Sequence, residues 1–168
     1  VILSPSVHPQ YRAVARTYHQ GTGVRFVGDR SGFATIDDLI DMLKICDAVS
    51  IHAALNAQTR HLIGAKELAA MKPSALLINS ARGALVDEAA LVSALQDKRI
   101  GGAGLDVFSR EPLALAGHPM SALFAMDNVI LSPHLTFYTQ EAMARLEDET
   151  LERCFEILDG RPAGGRPA

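Results

Sequence analysis

The sequence predicts an α/β fold built on a mostly parallel sheet, and three observations carry that prediction. Short apolar runs rich in branched residues alternate with segments of helical period along most of the chain. One of those runs, Ala75-Leu76-Leu77-Ile78, is apolar at every position, as a strand is in a sheet covered on both faces. The composition is that of an ordinary globular domain: 168 residues, 48% apolar and 21% charged. A chain of this size can bury a sizeable core without disulfides or metals.

The elements follow in order. Val24-Arg25-Phe26-Val27 reads as a first strand. Thr35 is placed to cap a helix, with Asp38 as its capping-box partner, and Ile36, Leu39, Ile40 and Leu43 fall on one helical face. Asp47–Ile51 is a second strand. Ala65–Met71 is a short helix stopped by Lys72-Pro73. After the third strand, Ala75–Ile78, Asp87 caps a helix that is expected to run to about Lys98 and end at Gly101-Gly102, with Val86 and Leu91 as a hydrophobic staple. Ala103–Phe108 and Val129–Leu131 are two further strands. Thr139 opens a longer helix with an apolar stripe of Met143, Leu146, Leu151, Cys154, Phe155 and Leu158, and Gly160 stands at its end. The tail from Arg161 is rich in Pro and Gly and reads as loose.

Composition also excludes several function classes. Sixteen Lys and Arg against 19 Asp and Glu leave a net charge of −3 with no block of like charge, so no nucleic-acid or anionic-membrane partner is indicated. No apolar run approaches a membrane span. The two cysteines, Cys46 and Cys154, have no CxxC or zinc spacing, so no metal is expected, and they read as core thiols in a reducing, cytoplasmic setting. The opening Val1-Ile2-Leu3-Ser4-Pro5 has neither a basic nor a long apolar leader region, and it lacks Met, which fits a fragment or processed product.

In parallel sheets, ligands bind beyond the carboxyl ends of the strands, and three chemistry-bearing residues fall there. Arg82, in Asn79-Ser80-Ala81-Arg82-Gly83, offers a planar fork suited to a carboxylate. Glu111 follows the strand that carries Asp106, a carboxylate in an otherwise apolar run. His134 follows Pro133, which stiffens the chain before it, and can give or take a proton near neutral pH. Taken singly, each has a bland reading as a surface or satisfied core residue. Together they suit one reaction. A 2-oxo acid needs a cation for its carboxylate and a proton for its carbonyl oxygen, and the proton donor needs a carboxylate behind it. The hydride must come from a cofactor, since no side chain supplies one.

These motifs, in order and spacing, resemble the cofactor-binding domain of the D-isomer-specific 2-hydroxyacid dehydrogenases. The likeness runs from about Asp29 to Arg161. It is strongest at Met71-Lys72-Pro73, Asn79 to Gly83, Leu85-Val86-Asp87, Gly104 to Phe108, Glu111-Pro112, Asn128 to Leu131 and Pro133-His134. The resemblance implies a Rossmann-like doubly wound sheet, NAD as cofactor and a homodimer. It implies Arg82 as the residue binding substrate carboxylate and carbonyl, His134 as acid/base and Glu111 as its partner. On the cofactor side it implies Asp29 at the adenosine ribose, where an acid favours NAD over NADP. It further implies Ala53, Ala54 and Thr59 along the ribose and adenine, Ser80 and Ala81 at the nicotinamide, and Asp106 at the carboxamide, with Arg82 and His134 also facing the cofactor. The family often has Pro where Ala54 stands. Leu135 to Thr139 is similar to the D-lactate dehydrogenase branch, where an aromatic residue helps close the substrate pocket.

Two features depart from the family. The glycine fingerprint expected one helix ahead of Asp29 is replaced by Ser6-Val7-His8-Pro9-Gln10-Tyr11, with all three glycine positions lost. The segment from Val7 to Tyr18 instead resembles a stretch of the glycine dehydrogenase (decarboxylating) P-protein, but no lysine here sits in a Schiff-base context. Residues 1–28 are thus an atypical segment in place of the glycine-rich unit, 29–160 the NAD-binding domain and 161–168 a tail. Against the family pattern, the substrate domain is expected to be incomplete in this sequence, and the cleft that the family closes over its substrate is not expected to form fully. Two readings follow. One is an NAD-dependent oxidoreductase of 2-hydroxy acids, present whole or in part. The other is a non-catalytic NAD-binding or co-repressor-like module.

Overall fold

The computed structural model describes residues 36–161. The expected strand Val24–Val27, Asp29, the Thr35 cap and the segment in place of the glycine fingerprint lie outside the described residues, as does the tail beyond Arg161. The described residues fall into two compact units, one ending at Pro133 and the other beginning at His134.

The described residues of the first unit form a four-stranded parallel sheet of Rossmann type. Helix α1 (Ile36–Ile45) leads into β1 (Ala48–Ile51), α2 (Ala65–Ala70), β2 (Leu76–Asn79), a 3-10 turn at Gly83–Leu85 and α3 (Glu88–Gln96). Then come β3 (Gly102–Leu105), a second 3-10 turn at Ser121–Ala125 and β4 (Val129–Leu131). The strands lie side by side in sequence order, β1-β2-β3-β4, with Ile51 opposite Asn79 and Asn79 opposite Leu105.

That order has a consequence for burial. Parallel crossovers are right-handed, so consecutive neighbours place all their connections on one face. On that face Leu77, Ala103 and Leu105 are buried together with Leu43, Leu68, Leu91 and Leu95 from the helices. Each fully buried leucine contributes about 1.5–3 kcal/mol relative to an exposed one. On the opposite face Leu76, Ile78 and Ile130 are exposed. The expectation that the third strand is covered on both sides is therefore corrected for the described residues. Reversal of strand order, which makes a doubly wound sheet cover both faces, does not occur within β1–β4.

Local chemistry sets the element ends. Leu39, Ile40 and Leu43 turn one face of α1 to the core. The Asp87 carboxylate accepts from the amides of Ala89 and Ala90 at 3.1 Å each, so the expected cap of α3 is present. Val86 and Leu91 are both buried beside it. The far end of α3 differs from expectation: the helix stops at Gln96, and Lys98, at φ 52°, turns the chain out of it. Gly101 and Gly102 serve instead as close-approach points. A Cβ on Gly101 would lie 2.6 Å from the Ser74 carbonyl oxygen, and one on Gly102 2.4 Å from that of Asn128.

The second unit carries α4 (Gln140–Leu158), capped by Thr139, whose hydroxyl accepts from the Ala142 amide at 3.1 Å. Gly160, at φ 68°, follows the helix. None of the residues of α4 is buried. Both cysteines are free thiols; Cys46 is half-buried and Cys154 exposed, which corrects their reading as core residues. No helix among the described residues is long and apolar enough to cross a membrane.

Candidate active site

The carboxyl ends of β1, β2 and β3 bring three loops to one edge of the first unit. The segment after β1 is shaped by Asn56 and Thr59. The Asn56 carbonyl oxygen of the side chain accepts from the amides of Gln58 and Thr59, and the Thr59 hydroxyl donates to the Ala54 carbonyl at 2.7 Å. Thr59 thus holds its own loop closed, with Ala53 half-buried and Ala54 exposed beside it. Next, Ile63 bridges to Val86, and the amides of His61 and Ile63 donate to the carbonyls of Ala84 and Leu85. These bonds tie the post-β1 segment to the loop after β2.

The loop after β2 is organised by Asn79, at 1% exposure. Its amide nitrogen donates to the Arg82 carbonyl at 3.0 Å, and its amide oxygen accepts from the Ala81 amide at 3.1 Å. Its own backbone carbonyl accepts from the Asp106 amide. Ser80 and Ala81 are half-buried, and Arg82 is exposed at the edge, its guanidinium donating to the Ala81 carbonyl.

Gly83 joins this loop to the next one. A Cβ there would stand 2.0 Å from the Phe108 carbonyl carbon and 2.2 Å from the Ser109 nitrogen. No residue but glycine permits that approach. Glu88, in the first turn of α3, accepts from the Ser109 amide at 2.6 Å, and Glu111 accepts from the Phe108 amide at 3.0 Å. The loops carrying Arg82 and Glu111 are therefore packed backbone to backbone. Asp106 lies just past β3 rather than inside the strand, and it is buried. Neither Asp106 nor Glu111 is without an interaction partner.

His134 belongs to the second unit, where it follows β4 by way of Pro133. Its φ of 60° puts it in the left-handed region, which costs a non-glycine residue about 1 kcal/mol. Such backbone outliers concentrate at functional positions. The imidazole is half-buried and meets the Phe137 ring edge to face, with centroids 6.1 Å apart; Phe137 meets Tyr138 in the same way.

The first unit therefore assembles Ala53, Ser80, Ala81, Arg82, Asp106 and Glu111 at the strand ends. Asp29 lies outside the described residues. Sequence reasoning missed Asn79 and Glu88 as supporting groups. The signal for Asn79 was a polar residue ending a wholly apolar strand.

Comparison with known proteins identifies the family. Residues 14–136 match the D-isomer specific 2-hydroxyacid dehydrogenase, NAD binding domain. The chain belongs to the D-isomer-specific 2-hydroxyacid dehydrogenase family. Among its relatives, glyoxylate/hydroxypyruvate reductase B of Enterobacter agglomerans is 40% identical over 147 residues, covering 88% of this chain and 42% of the relative. The (S)-sulfolactate dehydrogenase of Chromohalobacter salexigens is 45% identical over 123 residues, 73% of this chain and 38% of the relative. A solved structure of D-lactate dehydrogenase with NAD+ from Lactobacillus jensenii superposes with a TM-score of 0.74 at 28% identity, covering all of this chain and 48% of that one. The chain thus spans less than half the length of these relatives.

NAD is the cofactor of this 2-hydroxyacid dehydrogenase domain. The residues at the strand ends fit it. Small side chains at Ala53, Ser80 and Ala81 leave the backbone approachable, and the buried Asp106 carboxylate offers an acceptor at the end of β3.

Proposed function

We propose that this chain is the cofactor-binding part of an NAD-dependent enzyme that interconverts a 2-hydroxy acid and a 2-oxo acid. The observation that carries the reading is the packing of Gly83 on Phe108 and Ser109, which brings the Arg82 and Glu111 loops to one edge. Arg82 binds the substrate carboxylate and orients the carbonyl, and His134 holds the proton that passes to the carbonyl oxygen. The family resemblance supports Glu111 as the carboxylate partner of that imidazole. Asp106, Ser80 and Ala81 hold the nicotinamide end of the cofactor, and Ala53, Ala54 and Thr59 border its adenosine side with Asp29. NAD supplies the hydride when bound. Residues 29–160 form the NAD-binding domain, preceded by the atypical segment 1–28 and followed by the tail 161–168. The two free thiols support a reducing cytoplasm, and the family resemblance supports a homodimer.

The test follows loss of NADH absorbance with a panel of short 2-oxo acids. Turnover that falls by about 10²–10⁴-fold in His134→Ala is the expected result. Turnover that survives the substitution sinks the acid/base assignment. A second reading, a non-catalytic NAD-binding module, is favoured by Ser6–Tyr11 standing where the glycine fingerprint is expected. Calorimetric NAD binding with no turnover of any 2-oxo acid supports that module.

A further inference from the structure

His118 is a buried titratable group with no part in the chemistry above, at 7% exposure. Both ring nitrogens are engaged. Nδ1 lies 3.0 Å from the Met120 amide, and Nε2 lies 2.9 Å from the Arg110 carbonyl oxygen. An amide N–H only donates and a carbonyl only accepts, so the ring is the neutral tautomer with its proton on Nε2. The ring also meets Phe108 edge to face, with centroids 6.5 Å apart.

These contacts surround Glu111. Phe108 donates its amide to the Glu111 carboxylate, Ser109 donates its amide to Glu88, and Arg110 accepts from His118. Three consecutive residues before Glu111 are thus each tied down, and His118 touches both the first and the last. The segment after it is closed as well: the Ser121 hydroxyl donates to the Ala114 carbonyl, and the Met120 amide ends on the imidazole. Glu111 itself is exposed. The Glu111 carboxylate accepts from the Phe108 amide, so the hold on this backbone segment helps to set its orientation against the rotamer freedom it gives up.

We propose that His118 is a positioning residue that fixes the backbone of Glu111 through the Arg110 carbonyl. The inference rests on Glu111 acting as the carboxylate of the reaction. Two substitutions separate the functions of the ring. His118→Asn keeps an acceptor for the Met120 amide two residues on, as in an Asx turn, but cannot reach Arg110. His118→Gln places an amide N–H near the position of Nε2.

The experiment measures amide exchange by NMR in the full chain, alongside NADH turnover. In His118→Asn the Phe108 amide is expected to exchange about fivefold faster, the equivalent of one net hydrogen bond. Met120 and the β3 amide of Leu105 are expected to stay protected. kcat is expected to fall with KM for NADH unchanged, and His118→Gln to restore both Phe108 protection and kcat. Unchanged Phe108 exchange in His118→Asn overturns the proposal. So does faster exchange at Leu105 in that variant, or failure of His118→Gln to restore Phe108. Glu111→Gln keeps an oxygen for the Phe108 amide. If it leaves kcat and its pH profile untouched while His118→Asn still loosens Phe108, the role of Glu111 in the reaction fails and the anchoring stands.

Discussion

The backbone that carries Arg82 is held in part by Asn79. The Asn79 side chain satisfies the Arg82 carbonyl and the Ala81 amide from a buried position. Asn79→Ala leaves both without those partners, and such losses cost about 1–3 kcal/mol. We expect a lower urea midpoint and a raised KM for the 2-oxo acid, with the KM for NADH less affected; equal KM values in both proteins contradict the role. Gly83 gives a sharper case. A Cβ there meets the Phe108 and Ser109 backbone, which no rotamer change relieves, whereas one on Gly104 meets nothing nearer than the Ile78 Cγ1 at 4.0 Å. Gly83→Ala is expected to destabilise by about 1–3 kcal/mol or more, against about 0.5 kcal/mol or less for Gly104→Ala, both read from denaturant unfolding. Equal losses at the two sites contradict the backbone packing. At this scale Arg82, Glu111 and His134 stand out in the sequence as candidates because chemistry-bearing residue types fall after apolar strands, and their roles are those proposed above. Glu88 and His118 were not, because what they bind is backbone. Glu88 reaches Ser109 across 21 residues, and no residue pattern marks a carbonyl or an amide as a target.

Helix starts were more legible than helix ends or sheet faces. Asp87 and Thr139 both cap their helices as the sequence predicts, because a cap is a local bond between a side chain and the next turn. Asp87→Ala is expected to lower stability by about 0.5–2 kcal/mol, measured by thermal unfolding, and Asp87→Asn to recover most of it. No difference between the two variants argues that the cap contributes nothing. The end of α3 was misread because Gly101-Gly102 suggested a C-cap, yet those glycines answer to Ser74 and Asn128, segments distant in sequence. Lys98 takes the left-handed turn instead. The faces of β2 were misread for a related reason. An all-apolar strand signals burial, but which side the crossovers cover depends on the spatial order of the strands, a property of the whole sheet.

The two units differ in how they are stabilised. In the first, β2 and β3 lie between neighbouring strands, and their side chains enter a common core with residues of α1, α2 and α3. In the second, α4 has its Thr139 cap and an i,i+3 pair between Arg153 and Glu156 at 2.7 Å, yet Leu146, Leu151, Phe155 and Leu158 are all exposed. The hydrogen bond and charge of Glu156 raise the Arg153 pKa, a local effect on a solvated side chain. A solvent-exposed pair of this kind adds little stability, well below what burying even one of those leucines contributes. Helices that lack a packed face are marginal in water, because most helical stability in proteins comes from tertiary burial. Opening free energies differ between such regions of one protein. We therefore expect amides in the middle of α4, from Glu147 to Arg153, to exchange with solvent far faster than those of Leu77 and Leu105 in native conditions. Amide exchange followed by NMR tests this directly, and protection in α4 that equals the sheet's contradicts the division of stability between the two units.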